Sequence, residues 1–196
     1  MILSGEMNAA YEEDLDVTAV EVPYEKDELS IIFMLPGKIS EFVVDGLNRI
    51  EKVLDANSWE NLLKSFVPQS MDLKVPLLNS HCLLNLNETL ISLGLNDSFS
   101  NEADFSGMNG ADDLKISSFL QVNEMSFETT DSLYNKRSAK NTFVDDKVYS
   151  FIKRQIRQQN VYELTLERQF MYIVRHNPTG LILYIGRYHH PDENKL

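Results

Sequence analysis

The run Leu29-Ser30-Ile31-Ile32-Phe33-Met34-Leu35, closed by Pro36-Gly37, constrains this chain more than any other stretch. Apart from Ser30 it shows no polar alternation, so a strand formed here points apolar side chains to both faces and needs cover on both. Upstream, Val17 to Val22 is rich in β-branched residues and ends at Pro23. Tyr24-Glu25-Lys26-Asp27-Glu28 supplies a turn between the two runs, which together read as a β-hairpin. A second hairpin lies near the C-terminus. There Phe170 to Val174 and Leu181 to Ile185 flank Arg-His-Asn-Pro-Thr-Gly, a turn by every local rule.

Between Ile39 and Phe66 the apolar residues Phe42, Val43, Leu47, Ile50, Val53 and Leu54 fall three or four apart, and the pattern recurs as Trp59, Leu62, Leu63 and Phe66. This spacing predicts two amphipathic helices, with Trp59 in ordinary core packing. Asn57 or Ser58 is expected to cap the second, and Pro68 lies just beyond its end. Leu73 to Leu78 reads as an extended segment whose Pro76 suits an edge or a bulge. Leu86 to Leu93 predicts a short helix ended by Gly94, Asn96 to Gly110 a loop, and Lys115 to Phe127 a long strand. No internal repeat is visible.

A length of 196 residues allows one ordinary domain or at most two small ones. No apolar run approaches the roughly 20 residues that a membrane helix needs. The start MILSGEMNAAYEEDLD has neither a basic region nor an apolar stretch of signal-peptide length, so nothing in it directs secretion. A net charge of −12 argues against a general nucleic-acid or membrane-surface binder and leaves basic partners open. The single Cys82 excludes an internal disulfide and a cysteine-rich metal site, and is expected to be a small core residue. His81, His176, His189 and His190 show no metal spacing with Cys, Asp or Glu; no metal and no cofactor are expected. No Ser-His-Asp, P-loop or dinucleotide pattern appears, so the chain does not read as an enzyme. Asn87-Glu88-Thr89 and Asn96-Asp97-Ser98 match the N-glycosylation triplet, whereas Pro178 excludes Asn177.

Asp131 to Asn160 is the odd segment. Its seven basic and three acidic residues give a local +4, against −16 on the remainder. Its length and polarity mark an exposed loop, and loops of this length are functional or disordered. Val148, Phe151, Ile152 and Ile156 are spaced so that part of it can form a helical turn or two on meeting a surface. Three readings stay open. The segment is a drifted, solvated loop; or it is bait for a trypsin-like serine protease, whose acidic pocket suits Arg137, Lys140, Lys147, Lys153, Arg154 and Arg157; or its basic residues, Lys136 among them, contact a polyanion or an acidic protein.

Several segments, read in order, resemble the C-terminal half of a serpin, the family of protease inhibitors that trap their target by inserting a cleaved loop into a β-sheet. Ala19-Val20-Glu21-Val22-Pro23-Tyr24 with Asp27 to Pro36 is similar to the family's central hairpin of sheet B. Leu93-Gly94-Leu95 through Phe99-Ser100 and Ala103-Asp104-Phe105-Ser106-Gly107-Met108 resembles the segment after the short helix that precedes the loop. Phe170 to Gly180, then Leu181 to Arg187 and Pro191, resembles the closing hairpin. The resemblance implies an α+β fold: antiparallel strands of sheets B and C, remains of sheet A and three short helices. Residues 1–196 are then a partial serpin domain and 131–160 an extended reactive-centre-like loop. It also implies a serine protease inhibitor homologue that regulates proteolysis in an extracellular compartment.

Two departures bear on mechanism. The family's N-terminal half, with most helices and the central strands of sheet A, has no counterpart here, so this chain is expected to lack the slot that receives the loop. The hinge also differs. Inhibitory members run through a Glu-rich turn and Gly-Thr into small residues that bury at little cost. A gapless count puts Thr129 and Thr130 at the acidic pair, Asp131 at the Gly, Ser132 at the Thr, Leu133 at the Glu, and Tyr134-Asn135-Lys136-Arg137 in the small-residue run. Burying Lys136 or Arg137 unpaired costs several kcal/mol, and Asp131 lacks glycine's freedom at positive φ. The expectation is a non-inhibitory or truncated serpin. The same count places the scissile bond near Asp145-Asp146, although the stretch from there to Phe170 is longer than family members carry.

Overall fold

The structure, a computed structural model, describes residues 1–38, 43, 45–127 and 162–189. These form two compact units, one from Met1–Pro76 with the C-terminal segment and one within Leu77–Glu128.

The first unit is built on a seven-stranded sheet. Its strands are β1 (Ile2–Glu12), β2 (Val17–Pro23), β3 (Leu29–Pro36), β4 (Val67–Lys74), β7 (Tyr162–Thr165), β8 (Phe170–His176) and β9 (Leu181–Tyr188). They lie in the order β7-β4-β1-β2-β3-β8-β9. The expected hairpin is present, with Thr18 opposite Leu35 and Pro23 opposite Ser30, and a 3-10 turn over Glu25–Asp27. β3 runs between β2 and β8 and is buried along almost its whole length, as its unbroken apolar run requires. One face is covered by α1 (Gly46–Val53) and α2 (Ala56–Ser65). Leu47, Ile50 and Leu62 bury against Val17, Ala19, Ile32, Met34, Met171 and Ile173, with Trp59, Leu63 and Phe66 partly buried at the margin. Each large aliphatic removed from water in this way contributes about 1.5–3 kcal/mol.

The turn between β8 and β9 is fastened to the turn between β2 and β3. Asn177 donates its backbone N–H to the Glu28 carbonyl and its Nδ2 to the Asp27 carbonyl, each at 2.8 Å. The fully buried Ser30 hydroxyl lies 2.8 Å from both the Asn177 Oδ1 and a Glu21 carboxylate oxygen. Asn177 is therefore a structural residue that ties the C-terminal hairpin to the first one.

At the bend from β1 to β2, the Asp16 carboxylate accepts hydrogen bonds from the Tyr11 hydroxyl and from the Arg49 guanidinium of α1. The Tyr11 bond first, and Arg49 with it, hold the Asp16 carboxyl below its ordinary value. Its contribution to stability is therefore complete above about pH 4 and is lost as the pH falls through the folded value. Asp16→Asn should flatten that part of the acid limb in a melting-temperature profile from pH 7 to pH 2. An acid limb identical to that of the parent contradicts the assignment.

The second unit holds β5 (Leu78–Asn85) and β6 (Leu120–Phe127), paired antiparallel with Leu78 opposite Phe127, together with α3 (Asn87–Ser92) and the short α4 (Ser106–Asn109). Gly94 follows α3 at φ +102°, a left-handed conformation that suits glycine as a helix stop.

Several expectations need correction. β4 and β7 pair parallel, so the large sheet is mixed rather than antiparallel. α1 begins only at Gly46, leaving Val43 outside it, while Phe42 lies outside the described residues. α2 is capped by Asp55, whose carboxylate accepts from the Ser58 N–H at 2.8 Å while the Ser58 hydroxyl accepts from the Asp55 N–H. Ser58 is thus the reciprocal member of a capping box and not the cap. Pro76 falls between β4 and β5 and belongs to neither. β6 begins at Leu120 instead of Lys115, because the preceding residues bond elsewhere: the Ile116 N–H to the Ser98 carbonyl, and Phe119 to Leu86 and Asn87. The 96–110 stretch contains a 3-10 turn at Asp97–Phe99 and α4. Cys82 is exposed, because it lies on a strand of the two-stranded sheet along which Leu83 and Leu84 are exposed as well.

Candidate functional site

The hinge residues Thr129, Thr130, Asp131 and Ser132, the basic residues Lys136, Arg137, Lys140 and Lys153, and the candidate scissile residues Asp145, Asp146, Lys147, Arg154 and Arg157 all lie outside the described residues. The structure does place the two strands on either side of them. β6 leads into the segment, and β7 follows it.

Both stems are fixed by buried side chains. β6 ends at Phe127, 7% exposed, opposite the equally buried Leu78. Earlier in β6, Leu120 and Val122 are exposed by 59% and 62%. Among the described residues β6 pairs with β5 alone. On the exit side Leu164 and Leu166 are buried, and the Leu166 N–H donates to the Lys74 carbonyl at 2.8 Å, extending the pairing with β4 past the end of β7. Glu163 forms an exposed ion pair with Lys74 at 3.7 Å, of small energetic weight. Arg168 then donates to the Lys38 carbonyl at 2.9 Å. The strand before residues 128–161 thus belongs to the two-stranded sheet and the strand after them to the seven-stranded one, each with a buried apolar residue at or near its end.

Asn87 has a structural task that the triplet pattern did not reveal. Its Oδ1 accepts from the Phe119 N–H at 2.7 Å and its Nδ2 donates to the Ser117 carbonyl at 3.2 Å. It therefore pins the residues that enter β6. Asn96 is exposed at the start of the Asp97–Phe99 turn. Among the histidines, His81 is exposed on β5, and the His176 Nδ1 meets the Thr179 hydroxyl at 2.7 Å within its own turn. No helix of the described residues is long and apolar enough to cross a membrane.

The described residues thus form a seven-stranded mixed sheet with two helices on one face and a separate two-stranded sheet, β6 preceding and β7 following residues 128–161 in the sequence, and comparison with known proteins gives the family. The model of the serpin family, described as serine protease inhibitor, matches residues 1–191. The chain belongs to the serpin family. Human leukocyte elastase inhibitor is 32% identical over 92% of this chain and 45% of its own length. Ovalbumin-related protein Y of Gallus gallus is 28% identical over 97% of this chain and 46% of its own. Among solved structures, maspin matches with a TM-score of 0.74 at 22% identity over 97% of this chain and 47% of its own, and uncleaved ovalbumin with 0.71 at 20% over 95% and 43%. The chain spans about half the length of these relatives. The likeness to serpins of known structure bears out the α+β partial serpin fold.

Proposed function

We propose that this chain is a non-inhibitory serpin homologue whose basic segment meets trypsin-like proteases as a substrate. The observation that carries the reading is the hinge: Asp131 where the family has glycine, and Lys136 and Arg137 in the run of small residues. A strand inserting into a sheet would bury those cations without partners, at several kcal/mol. The elastase inhibitor and the other serpin relatives support a protease as the partner class. Asn96, exposed, is better placed than Asn87 to carry a glycan. An extracellular location rests on the resemblance alone, and the comparisons lend it no support.

The test mixes the chain with trypsin at equal concentrations and resolves the products on denaturing gels. Cleavage after a basic residue between Lys136 and Arg157, with no SDS-resistant adduct, is the expected result; a covalent complex overturns the proposal. One observation favours a second reading, in which the segment docks on a polyanion or an acidic protein: +4 is concentrated there in a chain that is otherwise −16. That reading requires heparin binding that weakens steeply between low and physiological salt.

A further inference from the structure

Asn109-Gly110 is the one place in this sequence where glycine follows asparagine. Without a Cβ, glycine leaves its backbone nitrogen unshielded and free to adopt the conformations from which it reaches the preceding side-chain amide. The structure puts the pair at the end of α4, with every residue from Gly107 to Lys115 exposed. Gly110 sits at φ +77°, and a Cβ built on it would meet nothing within 4 Å, so a ring forming there has room. Asn109 is already held in a turn of its own. Its Oδ1 accepts from the Ala111 N–H at 3.0 Å, and its Nδ2 donates to an Asp113 carboxylate oxygen at 2.8 Å. The Gly110 N–H is engaged with the Ser106 carbonyl at 2.7 Å. A helix of four residues has no neighbouring turns to support that bond, so it opens at small cost. Asp45-Gly46, the corresponding aspartyl pair, is closed by contrast, since Gly46 is buried against Pro36.

We propose that Asn109 is a site of spontaneous deamidation and that the product unlocks the 109–113 turn. The Gly110 nitrogen gives its proton to solvent and bonds the Asn109 Cγ. The bond from Cγ to Nδ2 breaks, and the amide nitrogen takes a proton from solvent and leaves as ammonia. Water then adds to either carbonyl of the imide ring, giving aspartate or isoaspartate at position 109. The Ala111 N–H donates to the oxygen on which negative charge gathers during ring closure, which favours the step. An ionised product cannot donate to Asp113. A second carboxylate then stands where an amide N–H was hydrogen-bonded, and two like charges at that separation repel. All the atoms involved lie between Ser106 and Asp113, so the reaction belongs to this turn and is separate from the basic segment and its protease.

The test incubates the whole chain in mildly alkaline buffer and follows each asparagine by peptide mass spectrometry, with isoaspartate read by enzymatic methylation. Asn109 is expected to convert at least about tenfold faster than Asn57 and Asn79, which precede serine. Gly110→Ala should slow the conversion at least about tenfold. Asn109→Gln should abolish it at this position, because ring closure through the longer side chain is slow. Asn109→Asp, which carries the product's charge, should speed amide exchange at Gly110 and Ala111 about tenfold. Adding Asp113→Asn to that variant should restore the parent rate, because the bond between amide and carboxylate re-forms with its partners exchanged. Conversion of Asn109 no faster than that of Asn57, or exchange in Asn109→Asp equal to the parent's, overturns the proposal.

Discussion

Replacing Phe170 with alanine lowers the stability of the seven-stranded unit by about 3–5 kcal/mol. Phe170 is fully buried at the start of β8. Its ring meets Phe33 of β3 edge-on at 5.7 Å between centroids and stacks on Tyr188 of β9 at 4.7 Å. It therefore joins three adjacent strands, and truncation removes both contacts and leaves a cavity between strands whose backbones are held by their ladders. Against a typical total of about 5–15 kcal/mol, the loss is enough to unfold a marginal chain. Urea denaturation followed by circular dichroism measures it, and a loss below about 1 kcal/mol would show that the cluster holds little.

The second large effect lies two residues further along the same pair of strands. Tyr172 faces Gly186 directly across the β8–β9 ladder, and a Cβ built on Gly186 would fall on the Tyr172 ring. The ring is held there by stacking on Tyr184 at 6.0 Å, and burial, with Tyr184 beside it, pushes the Tyr172 phenol far above its ordinary value. The glycine is thus required by an aromatic side chain lying over it, a pairing that recurs in β-sheets. Gly186→Ala costs about 1–3 kcal/mol in the parent, by overpacking. In a Tyr172→Ala background the same substitution costs less than about 0.5 kcal/mol, because the obstacle is gone. Equal costs in the two backgrounds would mean that the glycine serves some other need.

Local chemistry made some of this fold legible and long-range pairing hid the rest. β3 announces itself because a strand buried on both faces needs an unbroken apolar run. The C-terminal hairpin does so because Asn177, Pro178 and Gly180 leave few alternatives to a turn. β1 gave no such signal: Gly5, Asn8, Ala9 and Ala10 are poor strand formers, and the strand exists because β2 and β4 pair along its two edges. β4 was hidden for a related reason, since only Met71 and Leu73 of its eight residues are buried. The parallel match of β4 with β7 joins segments far apart in sequence, and no local pattern encodes it. The cap of α2 was misplaced by three residues at most, because Asp55, Asn57 and Ser58 are all good caps and only the bond geometry selects Asp55. Cys82 was misread because its residue type argues for burial, whereas exposure follows from a sheet of two strands.

The candidate site was legible in another sense. Charge contrast and length alone marked 131–160, and the ordered motifs around it gave the family. The stems were not legible: that Phe127 and Leu164 anchor the two ends follows only from the strand pairings. The hinge argument uses side-chain chemistry directly, since Asp131, Lys136 and Arg137 oppose burial in any sheet.

Heating the chain before and after a single trypsin nick within 131–160 tests the central claim most directly. If these residues cannot enter a sheet, the nicked protein melts at the same temperature as the intact one or slightly below it. A rise of about 10 °C or more, equivalent to several kcal/mol in a chain of this size, would mean that the freed strand has found a place in the fold, and would contradict the account.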